Sequence, residues 1–423
     1  MKKIFSAVIC VMTILSIAVS CCAMETMKNG SRGDHVREVQ EMLITLGCLD
    51  GGADGIFGVK TEGAVRAFQQ ENGLEASGIM DEETYIALNE TVYFPSWNPG
   101  STSLRELIAF VSASTDESGP DYLEPAERIA TFDMDGTILC EKAPVYVDYC
   151  LTMYRVLDDP AYDAAEEEIN AMQQVRDHAY SEGVTFAPEG LTKDDLVASA
   201  FAGMTPEEFR SYVVSFAKNT DAVGFEGMTY NESFYMPMIE VIVYLKDKGF
   251  DVWMVSACER EVVRALVEQF DIPYDHVIAT DVPYVASGKG DAAADEYNMG
   301  KEEIILLGAP LDEVECGKSG KSAAIAREIG RQPVLAFGNS SGDYSMLNYA
   351  EGNTRHNGMG FFVVCDDTER EYGSDEKAAD YYSEVEKQGW TAISMADDWK
   401  TIYGEGVVKT GLPGAEESLS TAA

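Results

Sequence analysis

Two aspartates, Asp133 and Asp135, follow the apolar run Ile129 to Phe132 and precede the turn Gly136-Thr137. The run reads as a buried parallel strand, and a strand that stops at paired carboxylates sets them where open α/β sheets hold ligands. One carboxylate can attack an electrophile while its neighbour moves a proton. Three further polar pieces fall at strand ends or helix starts: Ser256 after the strand Asp251 to Val255, Lys321 ahead of a helix from Ser322 to Ile329, and Asn339 with Asp343 after a strand from Pro333 to Gly338. A hydroxyl, an ammonium and loop amides are the donors that developing charge on a phosphoryl group needs. Taken singly, each piece has a structural reading: the Asp pair as a helix-capping loop, Ser256 as a turn residue.

The elements that must position these groups alternate. Strands at Ile129 to Phe132, Asp251 to Val255, His276 to Thr280, Pro333 to Gly338 and Phe361 to Cys365 are separated by helical pattern, which predicts an α/β fold with a parallel sheet and right-handed crossovers. Residues from about 141 to 235 are mainly helical, with Thr205-Pro-Glu-Glu as a strong helix start, and predict a helical cap over the site.

The chain has 423 residues, enough for two or three domains. Its net charge of −42 argues against nucleic acid or anionic lipid as a general partner and repels anionic substrates at long range, so a phosphate site would need a metal and local cations. Residues 1–23 read as a signal peptide, with Lys2 and Lys3 before an apolar run. Cleavage after Ala23 and a lipid on Cys21 both stand as outcomes, the second tying the chain to a membrane, and a retained anchor is a third, for which the apolar run is short. The protein is then extracytoplasmic. Beyond that segment Cys48, Cys140, Cys150, Cys258, Cys316 and Cys365 are scattered, so buried thiols and disulfides both stay open.

Residues 27–90 carry three short amphipathic helices. Val36, Val39, Leu43 and Leu46 form one face behind Asp34 as cap; Thr61 caps a helix burying Ala64, Val65 and Phe68; Asp81 starts a third with Tyr85 and Leu88. The pattern Gly-Ser-Arg-Gly-Asp, Asp-Gly-Ile-Phe-Gly and Thr-Glu-x-Ala-Val-x-x-Phe-Gln resembles the peptidoglycan-binding module of cell-wall enzymes, which implies attachment to the wall; a small packing domain without a ligand is the alternative. Residues 91–102 have the composition of a linker, and 404–423 of a flexible tail.

The order of Asp133-x-Asp-Gly-Thr, Ser256, Lys321 and Asn339-Ser-Ser-Gly-Asp343 resembles the haloacid dehalogenase superfamily in its phosphatase branch. Pro125-Ala-Glu-Arg-Ile-Ala, Cys140-Glu-Lys-Ala-Pro and Asp366-Asp-Thr-Glu-Arg-Glu-Tyr resemble an exported subgroup related to phosphoserine and phosphocholine phosphatases, over about residues 103–403. The resemblance implies a Rossmann-like core with a helical cap and a Mg2+-dependent phosphomonoesterase. Asp133 would be the nucleophile and Asp135 the acid and base; Ser256, Lys321 and Thr137 would bind phosphate, and Asp133, Asp135, Asn339 and Asp343 would hold the metal. Asn339 departs from the Asp common in the superfamily and removes one negative charge. Lys318 also lies in a Gly-Lys pair, but the run Gly320-Lys-Ser-Ala-Ala-Ile favours Lys321. Glu141 and Lys142 either face the leaving group or form an exposed ion pair. Phosphoryl transfer to an alcohol, and a wall-binding protein with a decayed phosphatase domain, are the competing functions.

Overall fold

The computed structural model describes residues 26–189, 193–293, 296–308 and 316–414. The signal peptide expected over 1–23, with Cys21, lies outside these residues. No helix among the described residues is long and apolar enough to cross a membrane.

Helices α1 (Asp34–Thr45), α2 (Val59–Glu71) and α3 (Glu82–Tyr93) come first. Val36, Val39, Leu43, Val65, Phe68, Tyr85 and Leu88 are buried, as their helical spacing requires. Asp81 caps α3 by accepting the Thr84 amide, which contributes about 1 kcal/mol. The other two expected caps differ. Asp34 is already inside the first turn of α1, behind Gly33. Thr61 is buried in the first turn of α2, where it accepts from Gln40 Nε2 at 3.0 Å. A repeat explains this. Gln40 also donates to the Ile56 carbonyl and accepts the Gly55 amide, and Gln69 does the same with Thr84, Ile79 and Gly78. Each buried amide thereby has its donors and acceptor met while tying a Gly-Ile turn to the next helix.

Helix α4 (Thr102–Thr115) follows the segment expected as a linker, and residues of that segment are packed. Phe94 and Trp97 are buried, and Trp97 Nε1 donates to the Pro237 carbonyl at 3.0 Å. Large aromatic surfaces with one polar handle are held in interfaces for this reason. Lys248 pairs with Glu38 and Tyr93 bonds Asp247 across the same seam.

Strand β1 (Ile129–Phe132) is buried along its whole length. The cap block carries α5 (Val147–Leu157), α6 (Glu166–Glu182), α7 (Lys193–Phe201) and α8 (Pro206–Asn219), the last started by a Thr205–Glu208 capping box. After the short β2 (Phe225–Glu226) and α9 (Met236–Asp247) comes β3 (Asp251–Glu259), longer than expected, so that Ser256 lies within it where the register to its neighbour slips. Then follow α10 (Arg260–Val267), β4 (Val277–Thr280) and a hairpin of β5 (Tyr284–Ala286) and β6 (Ile305–Leu307). The chain continues with α11 (Ser319–Glu328), β7 (Leu335–Gly338), α12 (Tyr344–Glu351), β8 (Met359–Val364), α13 (Asp375–Gln388) and β9 (Thr391–Ser394). Residues 408–409, inside the expected flexible tail, form β10 (Val408–Lys409), which pairs antiparallel with β2.

The main sheet has six strands in the order β4-β3-β1-β7-β8-β9, all neighbours parallel. From β1 the chain builds to one side and then crosses to the other, so β1 lies at the topological switch point. Phe132, Phe337 and Phe361 are register partners that stack at centroid distances of 4.3 and 5.0 Å. They form a rigid apolar row just before the strand ends that carry the polar groups. Arg210 of α8 pairs with the buried Glu261 of α10, which also accepts from Arg264 and Tyr284 and so anchors the cap to the core.

Candidate active site

At the end of β1 the Asp133 amide donates to the Phe337 carbonyl at 2.9 Å, extending the ladder by one residue and fixing the side chain over the switch point. Asp133 as a residue is 6% exposed. Lys321, in the first turn of α11, places Nζ 2.5 Å from Asp133 Oδ1 and 2.7 Å from Asp343 Oδ1. Lys318, the other candidate, is exposed. Burial and then the neighbouring charge of Asp343 raise the Asp133 carboxyl above the usual carboxylate range, against the pull of Lys321. Burial opposes the charge on Lys321, but Asp133 and Asp343 outweigh it and raise its pKa.

The turn after β7 is built on Asp343. Its Oδ2 accepts the amides of Asn339 and Ser340 at 3.1 and 3.0 Å and the Ser340 hydroxyl at 3.2 Å, while Oδ1 holds Lys321. Both oxygens are therefore engaged in holding the loop and the ammonium. Thr137 Oγ1 lies 3.3 Å from both Asp133 Oδ2 and Asn339 Oδ1, so its hydroxyl serves the carboxylate cluster itself. Ser256 is buried two positions beyond Met254, the last register partner of β1 on β3, and its Oγ accepts the Cys258 amide at 3.0 Å. Asp133, Thr137, Lys321, Asn339 and Asp343 are thus joined by direct contacts; Ser256 lies within the neighbouring strand β3.

Asn339 Oδ1 stands 3.2 Å from Asp133 Oδ2, 3.0 Å from the Asp135 carbonyl oxygen and 3.3 Å from Thr137 Oγ1. When Asp133 is ionised, neither its carboxylate nor the carbonyl has a proton to offer, and only the Thr137 hydroxyl donates, at 3.3 Å. Oxygens crowded in this way fit a hard divalent cation, which takes carboxylate, carbonyl and amide oxygens together. Among the described residues no group of three or more His, Cys, Asp or Glu side chains is arranged for a metal, because this donor set relies on an amide and a backbone carbonyl. Gly136, at φ +79°, passes so close that a Cβ there would sit 1.9 Å from Asn339 Nδ2.

A cleft opens beside Gly136 and Asn339 and is lined by Glu141, Lys142, Tyr235, Lys377 and Tyr381. Glu141 is no exposed ion pair: Tyr146 Oη donates to its Oε1 at 3.1 Å, and Asn339 Nδ2 donates to its Oε2 at 3.3 Å. Lys377 and Tyr381 carry no signal in the sequence, since helix residues reach this cleft only through the tertiary fold.

The haloacid dehalogenase-like hydrolase family matches residues 130–348, and the chain belongs to it. A peptidoglycan-binding domain matches residues 32–88. Over 70 residues the chain is 36% identical to a spore cortex-lytic enzyme of Halalkalibacterium halodurans, covering 16% of this chain and 21% of the relative. It is 35% identical to the N-acetylmuramoyl-L-alanine amidase CwlM of Mycobacterium tuberculosis, covering 16% and 20%. The chain spans about a fifth of the length of these curated relatives. Among solved structures it is similar to a substrate-bound phosphoserine phosphatase, at 14% identity and TM-score 0.31 over 63% of this chain and 92% of that one. A functionally unknown protein from Anaerococcus prevotii is similar at 16% identity and TM-score 0.44, over 69% and 91%.

Proposed function

We propose that the protein is an exported, wall-associated phosphomonoesterase that acts through a phosphorylated Asp133. The observation that carries this reading is the buried cluster at the β1 end, in which Asp133 shares Lys321 with Asp343 and faces the oxygens of Asn339 and Thr137, with the Asp135 carbonyl on the other side of Asn339. An oxygen of Asp133 attacks phosphorus as the bond from phosphorus to the substrate oxygen breaks. Asp135 gives its proton to the departing alkoxide, releasing an alcohol. It then takes a proton from the water that attacks the aspartyl-phosphate, which frees inorganic phosphate and regenerates Asp133. The Lys321 ammonium and the Ser256 hydroxyl offset charge on the phosphoryl oxygens. Mg2+ held by Asp133, the Asp135 carbonyl and Asn339, with Asp343 setting the loop behind them, would neutralise the meeting of two anions in a chain of net charge −42.

The module over residues 27–90 holds the enzyme to peptidoglycan, and residues 103–403 do the chemistry. The family match to a peptidoglycan-binding domain supports the first assignment, and wall attachment requires export. Hydrolysis of an aryl phosphate with and without magnesium tests the reading. Metal-dependent release of phosphate is expected, and no turnover of any phosphomonoester in a broad panel would overturn it.

A further inference from the structure

Asn339 lacks the charge of a carboxylate and, unlike a carboxylate, has a wrong way round. An amide turned by half a rotation would aim N–H groups at Asp133 Oδ2, the Asp135 carbonyl and Thr137, at 3.2, 3.0 and 3.3 Å. Those bonds would satisfy the cluster internally and leave Asn339 with no oxygen facing a cation. What opposes the turn is Glu141. Its Oε2 accepts from Asn339 Nδ2 at 3.3 Å, and a turned amide would set carbonyl oxygen against carboxylate oxygen. The acceptor is itself held, because Tyr146 Oη donates to the other oxygen of Glu141. Gly136 makes room for the contact: a Cβ there would meet Asn339 Nδ2 at 1.9 Å and Glu141 Oε2 at 3.0 Å.

We propose that Glu141 is a positioning residue for the divalent cation, fixing the Asn339 amide with its oxygen toward Asp133 and the Asp135 carbonyl and supplying, one residue further out, the negative charge that Asn339 lacks. This rests on the reading of Asn339 as a metal ligand. Outer carboxylates that orient a ligand change metal affinity by about 10- to 100-fold. The role differs from that of a group facing the substrate, which would alter KM and leave the metal untouched.

The test is Mn2+ binding to the purified protein, followed by electron paramagnetic resonance of the free ion, with circular dichroism as a check of folding. Glu141→Ala is expected to weaken Mn2+ binding about 10-fold or more, whereas Glu141→Gln, which can still accept from Asn339, weakens it by less. Adding Asn339→Asp to Glu141→Ala restores affinity, because a carboxylate has no orientation to lose and brings its own charge. Wild-type Mn2+ affinity in Asn339→Ala would overturn the metal-site reading beneath the proposal. Weakened binding in Asn339→Ala with wild-type binding in Glu141→Ala, or a change in substrate KM alone, would overturn the proposal and leave that reading standing. Where Glu141→Ala does not fold, the near-isosteric pair decides: Asn339→Asp is expected to raise Mn2+ affinity more in Glu141→Gln than in the wild type, where it would face the Glu141 carboxylate. Additive effects of those two changes would overturn the coupling.

Discussion

The Lys321 ammonium rests 2.5 Å from Oδ1 of Asp133, with both groups buried. Removing the cation would leave Asp133 and Asp343 facing each other in the same low-dielectric site. Breaking one side of a buried pair costs about 3 to 5 kcal/mol. Lys321→Met is therefore expected to lower stability by several kcal/mol in urea titration and to abolish turnover. Wild-type stability would mean that Asp133 takes up a proton readily enough for the pair to be dispensable.

Asp133→Asn keeps the shape of the side chain and can still accept from Lys321, but an amide cannot form the aspartyl-phosphate. Turnover is expected to vanish while the circular dichroism spectrum stays that of the wild type. More than a trace of the wild-type rate in the purified variant would remove Asp133 from the role of nucleophile.

The seam around Trp97 predicts a single unfolding event. Trp97 packs edge to face on Trp399 at 6.3 Å, and Phe94 meets Tyr244 at 5.0 Å, so the first three helices and the sheet domain share a buried aromatic cluster. Calorimetry of the wild type is expected to show one cooperative transition. Trp97→Ala, at a cost of about 3 to 5 kcal/mol, is expected to split it in two. Two separated transitions in the wild type would show that the seam adds no coupling.

Glu240 lies in the same seam and accepts the Ser96 amide at 3.1 and 3.2 Å, yet burial pushes its carboxyl up to about 7. The ordinary value is about 4.5, so between those values the folded protein holds a proton that the unfolded chain has released. Stability from this group is fully present below about 4.5, falls as pH rises toward 7 and levels off above it. Glu240→Gln removes the dependence. The Tm of the variant relative to the wild type is thus expected to be higher at pH 8 than at pH 5. An unchanged difference between the two pH values would place the ionised carboxylate comfortably in the folded state.

What could be read in the sequence follows from how local each signal is. The run before Asp133 is continuous and apolar, so β1 and the position of the carboxylates were legible without knowing any partner. Lys321 was separable from Lys318 by the pattern that follows it, although burial against Asp133 needs the whole sheet. Strand β9 and the pair β2 and β10 were not legible: Thr391–Ser394 is half-buried at an edge, and two-residue strands have no period. Gln40 and Gln69 are buried because the Gly-Ile turns offer them a full set of partners, which only the folded module brings together. Glu141 left two readings open, and the structure turns it toward Asn339, a partner supplied by a distant strand end.

The last prediction separates Asp135 from the nucleophile. Asp135 must carry a proton to serve the leaving group, while Asp133 must be ionised to attack, so the pair works only if their protonation states differ at the moment of reaction. An alkyl leaving group is a poor one and needs that proton; an aryl leaving group departs as a stable phenolate. Asp135→Asn is therefore expected to slow alkyl phosphate hydrolysis by about 10²- to 10⁴-fold, the usual contribution of a positioned acid, and aryl phosphate hydrolysis by less. Because the water that breaks the phosphoenzyme also loses its base, rapid mixing with an aryl phosphate should give a burst of phenol followed by a slow steady state. Equal losses on both substrate classes without a burst would make Asp135 a structural residue of the turn, known only by its carbonyl, and would send the search for the acid to the cleft lined by Glu141 and Lys142.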